Sequence, residues 1–218
     1  MYFKDRHEAG RRLVERLYET YRYEDCAVIA LSEGAVLVGE EIATALHCVM
    51  TMMLVESIDI PGEGLSLGGL SQSGQLTYNG MLSAGQLEGF RMEYFGYFEE
   101  KKREAMGRLN RLLGDGGLLN REKLKGRNII LVTDGFADAT SVDVALDFLK
   151  PVRVQKVIIA TPTASIQAVD YLHIKEDELH ILDVKANFMG INHYYDINEI
   201  PSREDTVEKL NRIVLNWQ

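Results

Sequence analysis

Apolar residues recur along this chain in two alternating rhythms. Over residues 7–22 they return at helical spacing, with Leu13, Leu17, Tyr18 and Tyr21 on one face, which predicts an amphipathic helix from His7 to Arg22. Cys26 to Leu31 is a short unbroken apolar run closed by Ser-Glu-Gly, the pattern of a buried strand. The alternation continues with a helix at 35–46 and a strand at 49–55. Beyond the middle come a strand at 128–133, a helix at 140–150, a strand at 156–161, a helix at 165–172 and a strand at 178–184. A last helix is expected from about Pro201, with Ser202 as N-cap and Asp205 at the N3 position. Strands alternating with helices predict an α/β fold, a mostly parallel twisted sheet flanked by helices.

The middle of the chain breaks this rhythm. Residues 57–79 are rich in Gly, Ser and Gln, carry the turn signal Pro61-Gly62, and predict a flexible loop leading into a polar hairpin. A long helix is expected over 84–113, stopped by Gly114-Asp115-Gly116-Gly117. Its Tyr94, Phe95, Tyr97 and Phe98 read as core or as a dimer seam. Residues 1–218 are therefore expected to form a single domain, with 57–120 as a flexible loop, hairpin and long-helix insertion.

Composition narrows the function classes. Apolar residues at 46% and charged residues at 26% specify a folded globular chain. A net charge of −9 without a basic block argues against nucleic acid or an anionic membrane as partner, and is an unusual setting for a highly anionic substrate. The N-terminus has no apolar signal region and no later run is long enough to span a bilayer. Cys26 and Cys48 read as reduced thiols on neighbouring core strands. Together these predict a cytoplasmic protein. No Walker loop, GxGxxG or His/Cys metal spacing is present in the sequence, and the scattered His173, His180 and His193 read as structural.

One stretch carries candidate chemistry. From Asn128 to Ser141 a buried-type strand runs into a Gly-containing loop and then a helix, a junction whose free N–H groups attract anions. Ligands of open α/β sheets gather beyond the carboxyl ends of the strands, so the loops after Leu31, Val55 and Thr133 matter most. The segment Thr133-Asp134-Gly135-Phe136-Ala137-Asp138-Ala139-Thr140-Ser141 resembles the diphosphate-sugar signature of the type I phosphoribosyltransferases. Order and spacing over nearly the whole chain are most similar to bacterial and archaeal phosphoribosyltransferases of undefined substrate. The resemblance takes in the opening Arg-rich helix, the strand-loop-helix at 26–46, the Pro-Gly near 61, the Leu-Lys-Gly-Arg before residue 128 and the closing segment Gly190 to Asp196. It implies a phosphoribosyltransferase-like fold with a hood, a homodimer, and Mg²⁺ only where phosphoribosyl diphosphate is bound, with no cofactor otherwise.

The three loops depart from the family in one direction. The family signature, Asp-Asp-Gly-x-Ala-Thr-Gly-x-Thr, uses its paired acids on the ribose hydroxyls, directly or through Mg²⁺. Here only Asp134 remains, beside Thr133, and Asp138-Ala139 replaces the loop's Thr-Gly. The Cβ of Ala139 stands where a positive φ or close approach to phosphate is expected. Thr140 and Ser141 retain hydroxyls for an oxyanion. Asp138 reads as the N-cap of the next helix, with Thr140 as the alternative cap. The pyrophosphate-loop equivalent is Ser32-Glu33-Gly34-Ala35, where the family branch commonly has Pro-Arg-Gly-Gly. Glu33 reverses a charge, and two unit charges about 4 Å apart interact by roughly 4 kcal/mol at an effective dielectric of 20. Alternatively, Ser-Glu-Gly only turns the chain and caps the next helix. The hood-loop equivalents are Glu56 and Ser57, in place of a basic pair, and Glu56 reads as a solvated loop charge.

These substitutions predict a phosphoribosyltransferase-fold protein with degraded phosphate loops. It would act as a binding or divergent module on a nucleotide-like small molecule or a protein partner, and no catalytic residue is assigned. Two alternatives stand beside it. One is an active transferase whose missing positive charge comes from Arg91, Lys125 or Arg127. The other is an unrelated α/β domain holding a divalent ion on Asp134 and Asp138.

Overall fold

The computed structural model describes residues 2–116, 119, 121–176, 178–202, 204–206 and 208–210. Its elements are α1 (Arg6–Tyr21), β1 (Cys26–Ala30), α2 (Glu33–Leu46), β2 (Val49–Met52), β3 (Val55–Asp59), β4 (Ser66–Ser71) and β5 (Leu76–Tyr78). They continue with α3 (Ala84–Glu93), α4 (Phe95–Gly116), β6 (Asn128–Val132), α5 (Thr140–Leu149), β7 (Lys156–Ser165), α6 (Ile166–Lys175) and β8 (Leu179–Lys185). Five strands form a parallel sheet in the order β2-β1-β6-β7-β8. Strands β1 and β6 are buried at every position, as their unbroken apolar runs require.

Helices cover both faces. On one, Leu13 and Leu17 of α1 and Ile42 of α2 meet Val28 and Ile130 of the sheet. On the other, Val144 and Phe148 of α5 and Leu172 of α6 meet Ile29 and Leu131. Each such fully buried side chain contributes about 1.5–3 kcal/mol relative to exposure. Helix α1 starts where the Asp5 carboxylate accepts the Glu8 N–H at 2.7 Å. Its buried stripe is Arg6, Ala9, Gly10, Leu13, Leu17 and Tyr21, whereas Tyr18, expected on that face, is 39% exposed beneath the Arg22 guanidinium. Ser202 Oγ accepts the Asp205 N–H at 3.2 Å, so the expected cap begins the helical residues 204–206 and 208–210.

The expected strand 49–55 is divided. β2 ends at Met52, and β3 joins a second, antiparallel sheet of order β3-β4-β5. Within residues 57–79, β4 and β5 pair as an antiparallel hairpin, and the stretch before it, expected as a flexible loop, begins with the end of β3. Two of the glycines that suggested flexibility, Gly68 and Gly69, serve close packing. A Cβ on Gly69 would lie 2.9 Å from Val144 Cγ2 of α5, and one on Gly68 would lie 2.4 Å from the Thr77 carbonyl oxygen. The other face of this hood sheet carries Ile58, Leu67 and Leu70 against Phe98, Ala105 and Leu109 of α4. The expected long helix is likewise two helices, broken at Tyr94 (φ −111°, ψ 25°), and α4 continues to Gly116. Tyr94, Tyr97 and Phe98 pack on the hood, while Met92 and Phe95 are exposed.

Both cysteines are free and buried, and burial pushes their thiols up, Cys26 to about 11 and Cys48 to about 12. Among the described residues no helix is long and apolar enough to cross a membrane.

At the start of β8, Glu178 takes hydrogen bonds from Tyr21 and Lys156 and pairs with His180 at 3.0 Å. Burial opposes its charge, but bonds from His180, Lys156 and Tyr21 prevail and hold the carboxyl down at about 2. A depressed carboxylate stabilises the fold above its unfolded value and loses that contribution as pH falls through its folded value. Glu178→Gln is therefore expected to flatten the loss of stability between about pH 4.5 and pH 2, seen in urea melts across that range. An unchanged acid limb would show that the cluster contributes nothing.

Candidate functional site

Two of the three loops, those after Leu31 and Thr133, meet the closing segment at the carboxyl rim of the parallel sheet with Asp134 as their hub, while the residues after Val55 belong to β3. Asp134 follows β6, is 4% exposed, and lies opposite the start of α2. Asp134 Oδ2 accepts from Arg6 Nε at 2.7 Å, and Oδ1 accepts the Ser32 hydroxyl at 2.9 Å. Arg6 is 1% exposed and spends its other donors on the closing segment. Nη2 reaches Asn192 Oδ1 at 2.7 Å and Nη1 reaches Asn198 Oδ1 at 3.5 Å. The Tyr195 ring lies 4.4 Å from the guanidinium carbon, and its hydroxyl donates to the Asp134 carbonyl at 2.6 Å. Burial, then the Asp134 charge, pushes the Tyr195 hydroxyl up, partly offset by Arg6. Acid, cation and cap thus bond to one another within the protein.

Local sequence explains the convergence. Ser32, extended at φ −157°, caps α2 by accepting the Ala35 N–H at 2.9 Å and still donates to Asp134. The tripeptide therefore turns the chain and caps the helix. Gly34 is required, because its Cβ would fall 2.1 Å from Asp134 Oδ2. Gly135 takes φ +142°, the one glycine of the signature loop that uses the positive-φ region. Ala139, by contrast, sits at φ −89° and ψ 11°, open to any residue. The closing segment is fixed beside residues 3–5 by a parallel bridge between Phe3 and Tyr195.

The remaining expected site residues have other engagements. Thr133 donates its hydroxyl to Thr161 Oγ1 at 2.8 Å. Ala137 presents its carbonyl to Ser165 Oγ at 2.5 Å. Ala139, not Asp138 or Thr140, occupies the N-cap position of α5, without a side-chain cap. Asp138 Oδ1 instead accepts the Thr140 N–H at 2.9 Å, and Oδ2 accepts the Ser66 N–H of β4 at 2.8 Å. Thr140 Oγ1 is buried without a partner, and Ser141 lies half-buried on the first turn of α5. Glu33 and Ala35 lie on α2, half-buried and buried. Glu56 is no loop charge: it lies on β3, one-fifth exposed, and accepts from Arg108 Nε at 2.8 Å. Ser57 is exposed on the same strand.

The cations expected to reach the loop lie elsewhere. Arg127 pairs with Asp25 at 3.4 Å at the opposite end of the sheet, Lys125 precedes it, and Arg91 lies over the Tyr78 ring. Arg6 converges instead. Its position on the apolar stripe of α1, in step with Ala9, Gly10 and Leu13, is the signal that reveals it. Asp134 and Asp138 face different partners, and no group of three or more His, Cys, Asp or Glu suited to a metal occurs among the described residues. With Asp134 held by a guanidinium and Thr133 donating inward, this donor set does not fit Mg²⁺.

Acids of α5 also anchor the hood. Asp143 accepts from Tyr171 Oη at 2.9 Å, Lys175 Nζ at 2.7 Å and the Gly80 N–H at 3.1 Å, and Asp147 accepts from Thr77 Oγ1 at 2.8 Å. A cleft of about 350 Å³ opens beside them between Thr77, Tyr78, Lys150 and Lys175, and none of the expected site residues lines it.

A family model described as phosphoribosyl transferase domain matches residues 3–196. Over 212 residues the chain is 26% identical to "Putative phosphoribosyl transferase Rv0571c" of Mycobacterium tuberculosis (strain ATCC 25618 / H37Rv), covering 96% of this chain and 46% of that protein. The chain thus spans about half the length of the curated relatives it matches. The crystal structure of TT1426 from Thermus thermophilus matches with a TM-score of 0.70 at 28% identity, covering 100% of this chain and 99% of that one. The structure of AQ2163 protein from Aquifex aeolicus matches with a TM-score of 0.50 at 13% identity, covering 83% and 74%, a likeness of fold alone.

Proposed function

The chain belongs to the phosphoribosyl transferase domain family, and from that premise we propose that it is a divergent binding module in which ordinary phosphoribosyl transfer has been given up. The observation that carries this reading is the buried Arg6–Asp134 pair. The loop acid that would meet ribose hydroxyls is neutralised by the chain's own guanidinium, at 1% exposure, and capped by Ser32. Freeing it would strand a buried charge, which costs about 3–5 kcal/mol before any ligand contact forms. Hood strand β4 lies directly on the first turns of α5. The ligands that suit such a site are a less anionic, nucleoside-like molecule or a protein partner, in a cytoplasmic setting and with a homodimer as the assembly to test.

Calorimetric titration with phosphoribosyl diphosphate and Mg²⁺ tests this directly. No saturable heat up to millimolar concentration is expected, with ribose 5-phosphate and pyrophosphate behaving alike. Saturable binding at micromolar strength would sink the proposal and restore the transferase reading, for which Arg6 is the one observation in favour: a cation does reach the 133–141 loop.

A further inference from the structure

Away from the signature loop, α5 carries a second polar stripe. Asp143, Leu146, Asp147 and the C-cap Lys150 recur at helical spacing and line the cleft of about 350 Å³ at the seam between hood and core. Thr77 and Tyr78 of β5 line it from the hood, and Lys175 with Glu176 line it from the end of α6. Small-molecule sites occupy roughly 300–1,000 Å³, so the space suits a compact ligand. Its charges stand in two pairs. Lys150 Nζ donates to Asp147 Oδ1 at 2.5 Å, and Lys175 Nζ donates to Asp143 Oδ1 at 2.7 Å. Asp143 is buried and also holds Tyr171 and the Gly80 N–H, which makes it a fixed part of the wall. The Lys150 side chain is three-quarters exposed, and Asp147 keeps Thr77 on its other oxygen, Oδ2. An ion pair so open to water is worth little, so Lys150 and Asp147 Oδ1 can exchange partners while the fold stays intact.

We infer that this cleft binds a zwitterion, an α-amino acid with an apolar side chain. The ligand's ammonium takes Asp147 Oδ1, its carboxylate takes Lys150 and a further donor of Lys175, and its side chain lies against Leu146 and the Tyr78 ring. The charge pattern selects this class. Three acids, Asp143, Asp147 and Glu176, face two lysines across the lining, a net negative balance that disfavours a plain anion. A plain cation that takes Asp147 leaves Lys150 without its carboxylate. A zwitterion inserted into that pair keeps every charge matched. The cleft shares no residue with the phosphate loops, so the inference goes beyond the functional reading above and stands apart from it. Because the cleft is lined from β5 on one side and from α5 and α6 on the other, an occupant joins hood to core.

Three probes with one phenyl body separate the charges: L-phenylalanine carries both, phenethylamine only the ammonium, and hydrocinnamate only the carboxylate. Calorimetric titration of the wild-type protein is expected to show saturable binding of L-phenylalanine at about 1 mM or tighter, with each single-charge probe at least about tenfold weaker. Amide resonances in NMR spectra should shift at residues 77–80 and 146–150 and stay in place at 133–141. Lys150→Gln is expected to weaken L-phenylalanine by about fivefold or more at an unchanged urea midpoint, since the side chain is exposed. Asp147→Asn, which retains an acceptor for Thr77, should weaken it likewise, and if that variant fails to fold Lys150→Gln decides alone. No saturable heat up to about 10 mM overturns the inference. So does a single-charge probe that binds as well as the zwitterion, binding indifferent to Lys150→Gln, or shifts confined to the signature loop.

Discussion

Arg6→Met is expected to cost about 3–5 kcal/mol of folding stability, measured as a lower urea midpoint at unchanged slope. The substitution leaves the α1 stripe apolar and helical, so helix propensity is not at issue. What it leaves behind is Asp134, 4% exposed, with only the Ser32 hydroxyl on its carboxylate. Arg6→Lys should recover only part of the loss. A lysine supplies the charge, but not the planar fork that reaches Asp134, Asn192 and Asn198 together. The double variant Arg6→Met/Asp134→Asn should recover more, because the stranded charge is then removed. Equal losses in the single and double variants would show that packing of the guanidinium on Tyr195, and not the ion pair, sets the cost.

Gly34→Ala should destabilise by about 2–3 kcal/mol, against the usual direction. In an exposed helix this exchange gains about 1 kcal/mol. At Gly34 the new methyl would sit 2.1 Å from Asp134 Oδ2 and 2.7 Å from Arg6 Nε, so the buried pair must move apart. Overpacking of that kind costs about 1–3 kcal/mol. Gly107→Ala is the control: this α4 glycine is exposed and its Cβ meets nothing within 4 Å, so a gain is expected. In an Asp134→Ala background the Gly34→Ala penalty should shrink sharply, since neighbouring sites are non-additive. Thermal or urea melts of wild type and these four variants decide it, and a full penalty without Asp134 would place the clash elsewhere.

Much of the fold was legible because buried parallel strands write themselves as unbroken apolar runs, as at Cys26–Ala30 and Asn128–Val132. The hairpin of the hood was expected, but the strand pairing ahead of it was not, for a physical reason. Gly68 and Gly69 look like flexibility in sequence, yet they are selected by backbone and side-chain atoms within 3 Å of their absent Cβ atoms, a tertiary fact. The split of the long helix falls at Tyr94 itself, and the nearest glycine, Gly96, lies two residues further on inside α4. The pattern singled out the loops and Asp134, but the partners that the structure gives them are remote in sequence, as Arg6 is from Asp134. A charged residue in step with a buried stripe was the available clue. The role of Asp138 was half visible: an acid beside a helix start suggested a cap, but not the bond to Ser66.

The strand order has a kinetic meaning as well. Neighbours β1 and β6 pair Cys26 with Asn128, so the centre of the sheet closes a loop of about a hundred residues, and such closure costs about 4 kcal/mol of chain entropy. The hood strands pair instead within residues 55–78. Local hairpins form in about 1–10 μs, whereas non-local parallel pairing is slow. The hood can therefore assemble as an early antiparallel unit during refolding, and the meeting of β1 with β6 sets the pace of everything after it.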